Sequence, residues 1–268
     1  MTAPGIVAIR GGGDLGSGVA ARLWRAGLNP IILERSEPIA VRRSVSFGEA
    51  VWDGAVAVEE IPGRRAGSAW RAVELAADGV IPVLVDPEAR SLPAVNPIAL
   101  VDAVMAKRNT GTTRDMAPFV VGLGPGFVAG GDVDAVVETN RGPNLGRVIW
   151  RGAAEADTGE PGPVRGLTHE RIVRAPVDGA ITLVAAIGDE VEAGDVVARI
   201  GKADVRAPIG GIVRGVVRDG LMVGEGMKIG DIDPRRDPNL CRLISDKALA
   251  VGGGALEAIL AARSGRRP

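Results

Sequence analysis

Three glycines and an acidic residue near the start of the chain have the spacing of a phosphate-binding turn. Gly11, Gly13 and Gly16 follow the apolar run "GIVAI" and precede a helical pattern, and Glu34 ends the next apolar run. Glycines let backbone N–H groups approach a phosphate closely, and the dipole of the following helix favours the anion. The motif therefore predicts a phosphate-bearing small molecule as ligand, with Glu34 accepting hydrogen bonds from ribose hydroxyls.

Two residues of this turn oppose that interpretation. Arg10 stands where an apolar residue usually ends the strand, and Asp14 places a carboxylate inside the proposed phosphate cradle. Asp14 would repel a phosphate but would serve well as a helix N-cap. The alternative is that the glycines only shape a tight turn between strand and helix. The residues predicted to bind a cofactor at the turn are Gly11, Gly13, Asp14, Gly16, Ser17 and Glu34.

A second polar group follows later apolar runs. "PFVV" leads into Gly122, Gly124 and Gly126, and "AVVET" leads into Asn140 and Arg141. Ligands of open α/β sheets bind beyond the carboxyl ends of the strands, so we expect these loops to share one mouth with the glycine turn. Asp115 and Glu138 are conceivable acid and base, and a solvated charged face is the alternative to a pocket. The binding residues predicted here are Lys107, Arg108, Asn109, Asn140 and Arg141.

Composition excludes several classes of protein. A formal net charge of −1 argues against a general nucleic-acid or anionic-membrane binder. No apolar run approaches the roughly 20 residues that span a bilayer, and no charged leader precedes the first strand, so we expect a cytoplasmic chain without a membrane partner. Cys241 and His169 are the single residues of their types, so no metal site is predicted.

The order of apolar runs predicts an α/β fold with a second, all-β part. Strand and helix patterns alternate from residue 5 to about 105, which predicts a Rossmann-like domain over 1–168. Within it, helices are expected at 17–26, 66–77 and 98–107. A helical tail over 237–268 is expected to pack on the α/β domain, with glycines 252–254 as a kink or break.

An internal repeat marks the second part. "VRAPVDGAI" at 173 returns as "VRAPIGGIV" at 205, and turn signals follow each copy. Two similar strand-turn-strand halves of this size resemble the biotinyl/lipoyl-type hammerhead. We therefore predict a hammerhead-like β domain over 169–236.

Longer motifs spread along the chain resemble one family. "RGGGDLGSGVAARL", "VRRSVSFGEAV", "AKRNTGTTRDMAPFVVGLGPGF", "VVETNRGPNLGRVIW", "KIGDIDPR" and "ISDKALAVGGGALEAIL" occur in this order. Together they resemble the selenium-dependent molybdenum hydroxylase accessory (maturation) proteins, over about residues 5 to 262. The resemblance implies a Rossmann-like N-terminal part, a molybdenum hydroxylase or its maturation factors as partner, and a nucleotide or molybdopterin dinucleotide as the suspected ligand. It implies no particular reaction.

Two other functions are alternatives. An NAD(P)-dependent oxidoreductase would need a proton donor beside the nicotinamide, but the chain has no tyrosine and one histidine. A biotin- or lipoate-type carrier would be modified on Lys202, which lacks the Met-Lys-Met setting and a hairpin of sufficient length. Cys241 could hold selenium as a selenosulfide, but its apolar neighbours indicate a buried side chain.

Overall fold

The computed structural model describes residues 5–159 and 162–266, which form two units. Unit 1 contains the chain up to Pro38, Ser46–Thr158 and the chain from Ile244 onward. Unit 2 contains Ile39–Val45 and Gly159–Leu243. Within the described ranges, no helix has both the length and the apolar character required to cross a membrane.

A nine-stranded mixed sheet forms the centre of unit 1. Its strands are β1 (Ile6–Arg10), β2 (Asn29–Glu34), β3 (Ala55–Val58), β4 (Ile61–Ala66), β5 (Ile81–Val85), β6 (Ala99–Asp102), β7 (Val120–Leu123), β9 (Ala135–Val137) and β10 (Val148–Ile149), and β8 (Val128–Ala129) pairs with β11 (Gly152–Ala153) outside it. The order is β10-β9-β7-β6-β1-β2-β5-β4-β3. Strands β9 to β4 in this order are parallel, and the edge strands β10 and β3 are antiparallel to their neighbours.

Apolar strands and the helices that pack on them build the core of this unit. Its helices are α1 (Asp14–Arg25), α2 (Ala50–Asp53), α3 (Ala69–Ala77), α4 (Leu92–Val95) and α5 (Asp246–Ser264). Val7, Ala8 and Ile9 of β1 are fully buried, as expected for a central parallel strand covered on both faces. Arg10 pairs in register with Leu33 and Asp102, so β1, β2 and β6 end at the same edge of the sheet.

The predicted fold class, a Rossmann-like domain with a biotinyl/lipoyl-type hammerhead-like domain, is wrong. The sheet of unit 1 is mixed, and in the described residues the connections from β6 to β7 and from β7 to β9 contain no α-helix. The helix predicted over 98–107 is instead β6, a fully buried strand between β1 and β7. A short apolar run buried on all sides has no periodicity that distinguishes a helix from a strand.

Helix α5 packs on α1 through residues that have small or no side chains. A Cβ atom on Gly252 would lie 2.7 Å from the carbonyl oxygen of Gly18, and one on Gly18 would lie 2.7 Å from the Cβ atom of Ala248. Glycines 252–254 were predicted as a kink or break, and the break is wrong because α5 is continuous through them. Glycines at these positions allow close packing of the two helices.

Unit 2 consists of two four-stranded antiparallel sheets. Its strands are β12 (Ile172–Arg174), β13 (Gly179–Leu183), β14 (Glu190–Val191), β15 (Val196–Ile200), β16 (Ala203–Arg206), β17 (Gly211–Val216), β18 (Met222–Val223) and β19 (Lys228–Asp233). The sheets have the orders β12-β19-β17-β14 and β16-β15-β13-β18. Each strand of the first repeat copy has a counterpart 32 residues later in the second. Each sheet takes two strands from each copy, so neither copy can bury its apolar side chains alone.

The helix pairing predicts opposite effects of alanine at two neighbouring glycines. Gly252→Ala should destabilise unit 1 by about 1–3 kcal/mol, because its new methyl group would overlap the backbone of α1. Gly253→Ala meets no atom within 4 Å and should stabilise by about 0.5–1 kcal/mol through helix propensity. Chemical denaturation measures both free energies of unfolding. A Gly252→Ala protein as stable as Gly253→Ala would contradict this packing.

Candidate functional site

The candidate site lies where the parallel strands of unit 1 end. Strand β1 has β2 on one side and β6 on the other, and the two halves of the sheet extend in opposite directions from it. Such a switch in strand order leaves a crevice beyond the carboxyl ends of the strands, where open α/β sheets bind ligands. The glycine turn and the N-terminus of α1 follow β1 directly at this edge.

The glycines of the turn have different roles. Gly11 has a φ angle of +90°, which favours glycine, and its N–H donates to the carbonyl oxygen of Leu33 at 2.8 Å. A Cβ atom on Gly16 would lie 2.0 Å from the carbonyl oxygen of Gly11, so α1 can start so close to β1 only with glycine there. Gly13, rather than the predicted Asp14, is the N-cap of α1, and Asp14 is the first helical residue. A Cβ atom on Gly13 would meet nothing within 4 Å, and α1 has no side-chain cap.

The carbonyl oxygen of Gly12 joins the turn to Ser46 and Gly48, which were not among the predicted site residues. It accepts hydrogen bonds from the N–H of Gly48 at 3.0 Å, the hydroxyl of Ser17 at 2.9 Å and the hydroxyl of Ser46 at 2.7 Å. The Ser17 hydroxyl in turn accepts from the N–H of Phe47 at 2.9 Å. Segment 46–48 therefore lies directly on the turn. The backbones of residues 12 and 48 approach so closely that a Cβ atom on Gly12 would lie 2.9 Å from the Gly48 nitrogen. The glycine at residue 48 was the available sequence signal for this contact.

Glu34 is engaged by its own chain. Its Oε2 accepts from the N–H of Gly12 at 2.7 Å, and its Oε1 accepts from the N–H of Arg35 at 2.8 Å. A Cβ atom on Gly48 would lie 3.1 Å from Oε2, so segment 46–48 closes this side of the carboxylate. In this conformation Glu34 holds the turn in place, and the two oxygens expected to accept from ribose hydroxyls accept from backbone N–H groups.

Arg10 belongs to a buried ionic network. Its Nη1 donates to Asp102 Oδ2 at 3.0 Å and to the hydroxyl of Thr112, and its Nη2 donates to the carbonyl oxygen of Pro87 at 3.0 Å. The Thr112 hydroxyl also donates to Asp102 Oδ2 at 2.5 Å. Arg10, Asp102 and Thr112 are all buried, and Arg10 Nε has no hydrogen-bond partner in the described protein. This network fixes the ends of β1 and β6 and the loop after β5. A charged residue at the end of a fully buried strand was the sequence signal for it.

Two of the predicted basic residues form ion pairs with carboxylates. Lys107 Nζ lies 2.6 Å from Asp157 Oδ2. Arg141 donates to both oxygens of Asp246, at 2.7 and 2.8 Å, in the first turn of α5. These contacts compensate the charges locally, and the Arg108 side chain remains exposed.

The predicted asparagines and acids shape loops. Asn109 Oδ1 accepts from the N–H groups of Gly111 and Thr112, and Asn140 Nδ2 donates to Glu155 at 2.6 Å. Glu138 is buried, and its two oxygens accept from three backbone N–H groups, those of Thr139, Asn140 and Glu155. The fully exposed Asp115 accepts a hydrogen bond from Thr113, which lowers the pKa of its carboxyl. Glu138 thus holds a loop, and Asp115 lies on the surface.

In residues 5–159 and 162–266, no group of three His, Cys, Asp or Glu side chains is placed to hold a metal ion. Cys241 is buried in unit 2, with its Sγ 3.7 Å from the carbonyl oxygen of Val213. Burial raises the pKa of the Cys241 thiol, which favours the unreactive neutral form.

Unit 2 contains a second set of buried charges. Asp231 and Asp233, both on β19, are almost fully buried. Asp231 forms ion pairs with Arg171 and, at 3.1 Å, with Arg42 Nη2, and Lys228 Nζ lies 3.9 Å away. Burial opposes ionisation of Asp231, but the charges of Lys228, Arg42 and Arg171 outweigh it and lower the pKa of this carboxyl.

Comparison with known proteins gives one close sequence relative. A protein of Escherichia coli (strain K12) described as uncharacterized protein YqeB is 49% identical over 255 residues, which is 95% of this chain and 47% of that protein. The chain thus spans about half the length of the curated relative that it matches. No family model matches the chain. The resemblance to the maturation family stays a prediction.

Solved structures give distant likenesses. The product-bound ectoine utilization protein EutE (DoeB) of Ruegeria pomeroyi is 14% identical with a TM-score of 0.26, over 80% of this chain and 61% of that one. A succinylglutamate desuccinylase from Silicibacter sp. TM1040 is 16% identical with a TM-score of 0.26, over 87% and 85%. An aspartoacylase family protein from Mesorhizobium loti is 16% identical with a TM-score of 0.25, over 85% and 84%. At these TM-scores the activities in those titles are statements about those proteins only.

These comparisons correct the functional prediction. The solved structures are titled as a desuccinylase, an aspartoacylase family protein and an ectoine utilization protein. None of these titles names molybdenum hydroxylase maturation, an oxidoreductase or a carrier module. The predicted accessory role in molybdenum hydroxylase maturation and its two alternatives are therefore not carried further. The same holds for a nucleotide or molybdopterin dinucleotide as the named ligand.

The buried network at Arg10 makes a stability prediction. Arg10→Met should destabilise unit 1 by about 3–5 kcal/mol, because it leaves the buried Asp102 carboxylate without its cation. Adding Asp102→Asn should recover part of that loss, giving a coupling energy above about 1 kcal/mol in a double-mutant cycle measured by denaturation. Arg71→Met, which removes an exposed ion pair with Glu74, is the control and should change stability by at most about 0.5 kcal/mol. Additive effects of the Arg10 and Asp102 substitutions would rule out the network as described.

The depressed pKa of Asp231 makes a pH prediction for unit 2. A carboxyl whose folded pKa is lowered stabilises the fold above its ordinary value of 3.8, and this stabilisation is lost as the pH falls toward the folded pKa. Asp231→Asn should lower the free energy of unfolding by about 3–5 kcal/mol at pH 7, because buried cations lose their partner. On acidification the variant should then lose less stability than the wild type loses.

Unfolding of the wild type, Asp231→Asn and the control Asp204→Asn, compared at pH 7 and pH 3.5, checks this expectation. Asp204 forms an exposed pair with Arg199, so its variant should follow the wild-type pH profile. Equal acid sensitivity of all three proteins would be incompatible with a stabilising Asp231 carboxylate.

Proposed function

We propose that unit 1 binds a phosphate-bearing small molecule at the N-terminus of α1. The observation that supports this most directly is the open Gly13 position on a helix without a side-chain cap, beside the crevice between β1 and β6. The N–H groups of a first helical turn have no intrahelical partner and attract anions together with the helix dipole. A phosphate at Gly13 would accept from these groups.

The packing around the turn limits the size and direction of the ligand. Glu34 and segment 46–48 fill the side of the turn next to Gly12, whereas the side next to Gly13 is open. A compact phosphate ester fits this geometry better than a molecule that extends along Glu34. The loops that contain residues 107–109 and 140–141 follow β6 and β9, and we propose them as the outer wall of the site.

Charge sets the expected strength of binding. Asp14 places a negative charge in the first turn of α1, and Arg10 is neutralised by Asp102 beneath the turn. Binding would therefore depend on backbone N–H groups and the helix dipole, and Asp14 would oppose it. Asp14→Asn is expected to raise the affinity for phosphate for this reason.

Substitution of Gly13 separates binding from folding. The φ angle of −72° at Gly13 suits any L-residue and no atom lies near its Cβ position, so Gly13→Val should fold, with a loss of about 1 kcal/mol because valine is a poorer N-cap than glycine. Its branched side chain would stand over the N–H groups and should weaken anion binding by about tenfold or more. Calorimetric titration with inorganic phosphate, pyrophosphate and glycerol phosphate measures the affinities.

Gly67→Val is the control, since the Cβ position of the exposed Gly67 is open like that of Gly13. It should bind as the wild type does. The proposal fails if none of the three probes binds the wild type, or if Gly13→Val binds them as tightly as Gly67→Val.

A further inference from the structure

Two sequence motifs outside the glycine turn converge on one face of unit 2. "VRRSV", residues 41–45, contributes Arg42, and "KIGDIDPR", residues 228–235, contributes Asp231, Asp233 and Arg235. A Cβ atom on Gly215 of β17 would lie 2.6 Å from the carbonyl oxygen of Val41. The missing side chain at residue 215 therefore lets segment 41–45 lie on the sheet and places Arg42 beside β19.

Arg214 is the least satisfied cation of this group. A guanidinium group has five N–H donors. The described contact of Arg214 is an ion pair of Nη1 with Asp233 Oδ2 at 3.3 Å, and Arg235 Nη2 binds the same oxygen at 2.6 Å. Arg214 is 9% exposed, and its Nε has no partner in the described protein. A buried guanidinium with so few acceptors is unusual and points to an anion or water that completes the site.

The surrounding charges also favour an added anion. Burial and the positive charges of Arg42 and Arg235 lower the pKa of Arg214, and the attraction of Asp233 and Asp231 does not compensate for them. Burial is the largest of these causes, so an anion beside the guanidinium would favour its charged form and offset the cost of burying it. The side chains of Arg42 and Arg235 are 20% and 35% exposed, so the group is accessible from solvent on their side.

We propose that Arg214, flanked by Arg42 and Arg235, binds an oxyanion, the phosphate or carboxylate group of a small molecule. Guanidinium groups bind such oxyanions through paired, charge-assisted hydrogen bonds. Asp231 and Asp233 lie beneath the site and hold the guanidinium groups in position. The site belongs to unit 2 alone and does not depend on the proposed function of unit 1.

The test uses the full chain with Gly13→Val as background, which removes the contribution of the glycine turn. Calorimetric titration with inorganic phosphate, and separately with acetate, is made at constant ionic strength in chloride. Phosphate should bind saturably in this background. Arg214→Lys keeps the charge but loses the planar fork, and it should weaken binding by about tenfold. Arg235→Lys should weaken it in the same direction, and Arg199→Lys, at an exposed pair of the same unit, should leave it unchanged.

The outcomes distinguish this site from the one proposed in unit 1. Loss of all phosphate binding on Gly13→Val would overturn the oxyanion site and leave the function proposed for unit 1 intact. Equal affinity of Arg214→Lys and Arg199→Lys would also overturn it. Saturable binding of acetate that also depends on Arg214 would support the site and extend its ligands to carboxylates. Binding of phosphate but not acetate would support the site for phosphate esters.

Discussion

The carbonyl oxygen of Gly12 is the point on which the candidate site depends. It accepts three hydrogen bonds, from Gly48, Ser17 and Ser46, and so joins the end of β1, the start of α1 and segment 46–48. These parts can meet only because residues 12 and 16 have no side chains. The same packing fixes which face of the turn is filled and which is open, and it leaves the Cβ side of Gly13 open at the N-terminal end of the helix dipole.

Charge is arranged differently in the two units. In unit 1, Arg10, Lys107 and Arg141 have the carboxylate partners Asp102, Asp157 and Asp246. In unit 2, the two buried aspartates 231 and 233 are paired with four arginines, Arg42, Arg171, Arg214 and Arg235. Compensated charges hold loops in place, whereas an excess of one sign in a buried cluster attracts a ligand of the other sign. This contrast separates the role of Arg10 in holding strand ends from the role proposed for Arg214.

Local patterns predicted part of this structure. The strand, glycine turn and helix at the start of the chain, the position of Glu34 at the end of β2, and the 32-residue repeat are present as expected. The helix over 98–107 was wrong because β6 is apolar on both faces. The fold class was wrong because the crossovers beyond β6 lack helices, and the Gly252 region is a packing surface instead of a break.

Contacts between distant parts of the chain could not be predicted. Arg141 pairs with Asp246, more than 100 residues later, and Arg42 belongs to unit 2 although it lies between β2 and α2. Ser46 and Gly48 reach the glycine turn from more than 30 residues away. No spacing rule covers such partners, because only the completed sheet brings them together.

Amide chemical shifts test the central claim most directly. Inorganic phosphate added to ¹⁵N-labelled full chain should produce saturable shifts at the N–H groups of Gly13 and residues 14–16. The N–H of Gly12, which already donates to Glu34, should move far less. If residues 13–16 do not respond while phosphate binds elsewhere, or if no amide responds, the N-terminus of α1 is not a ligand site and the glycines only shape the turn.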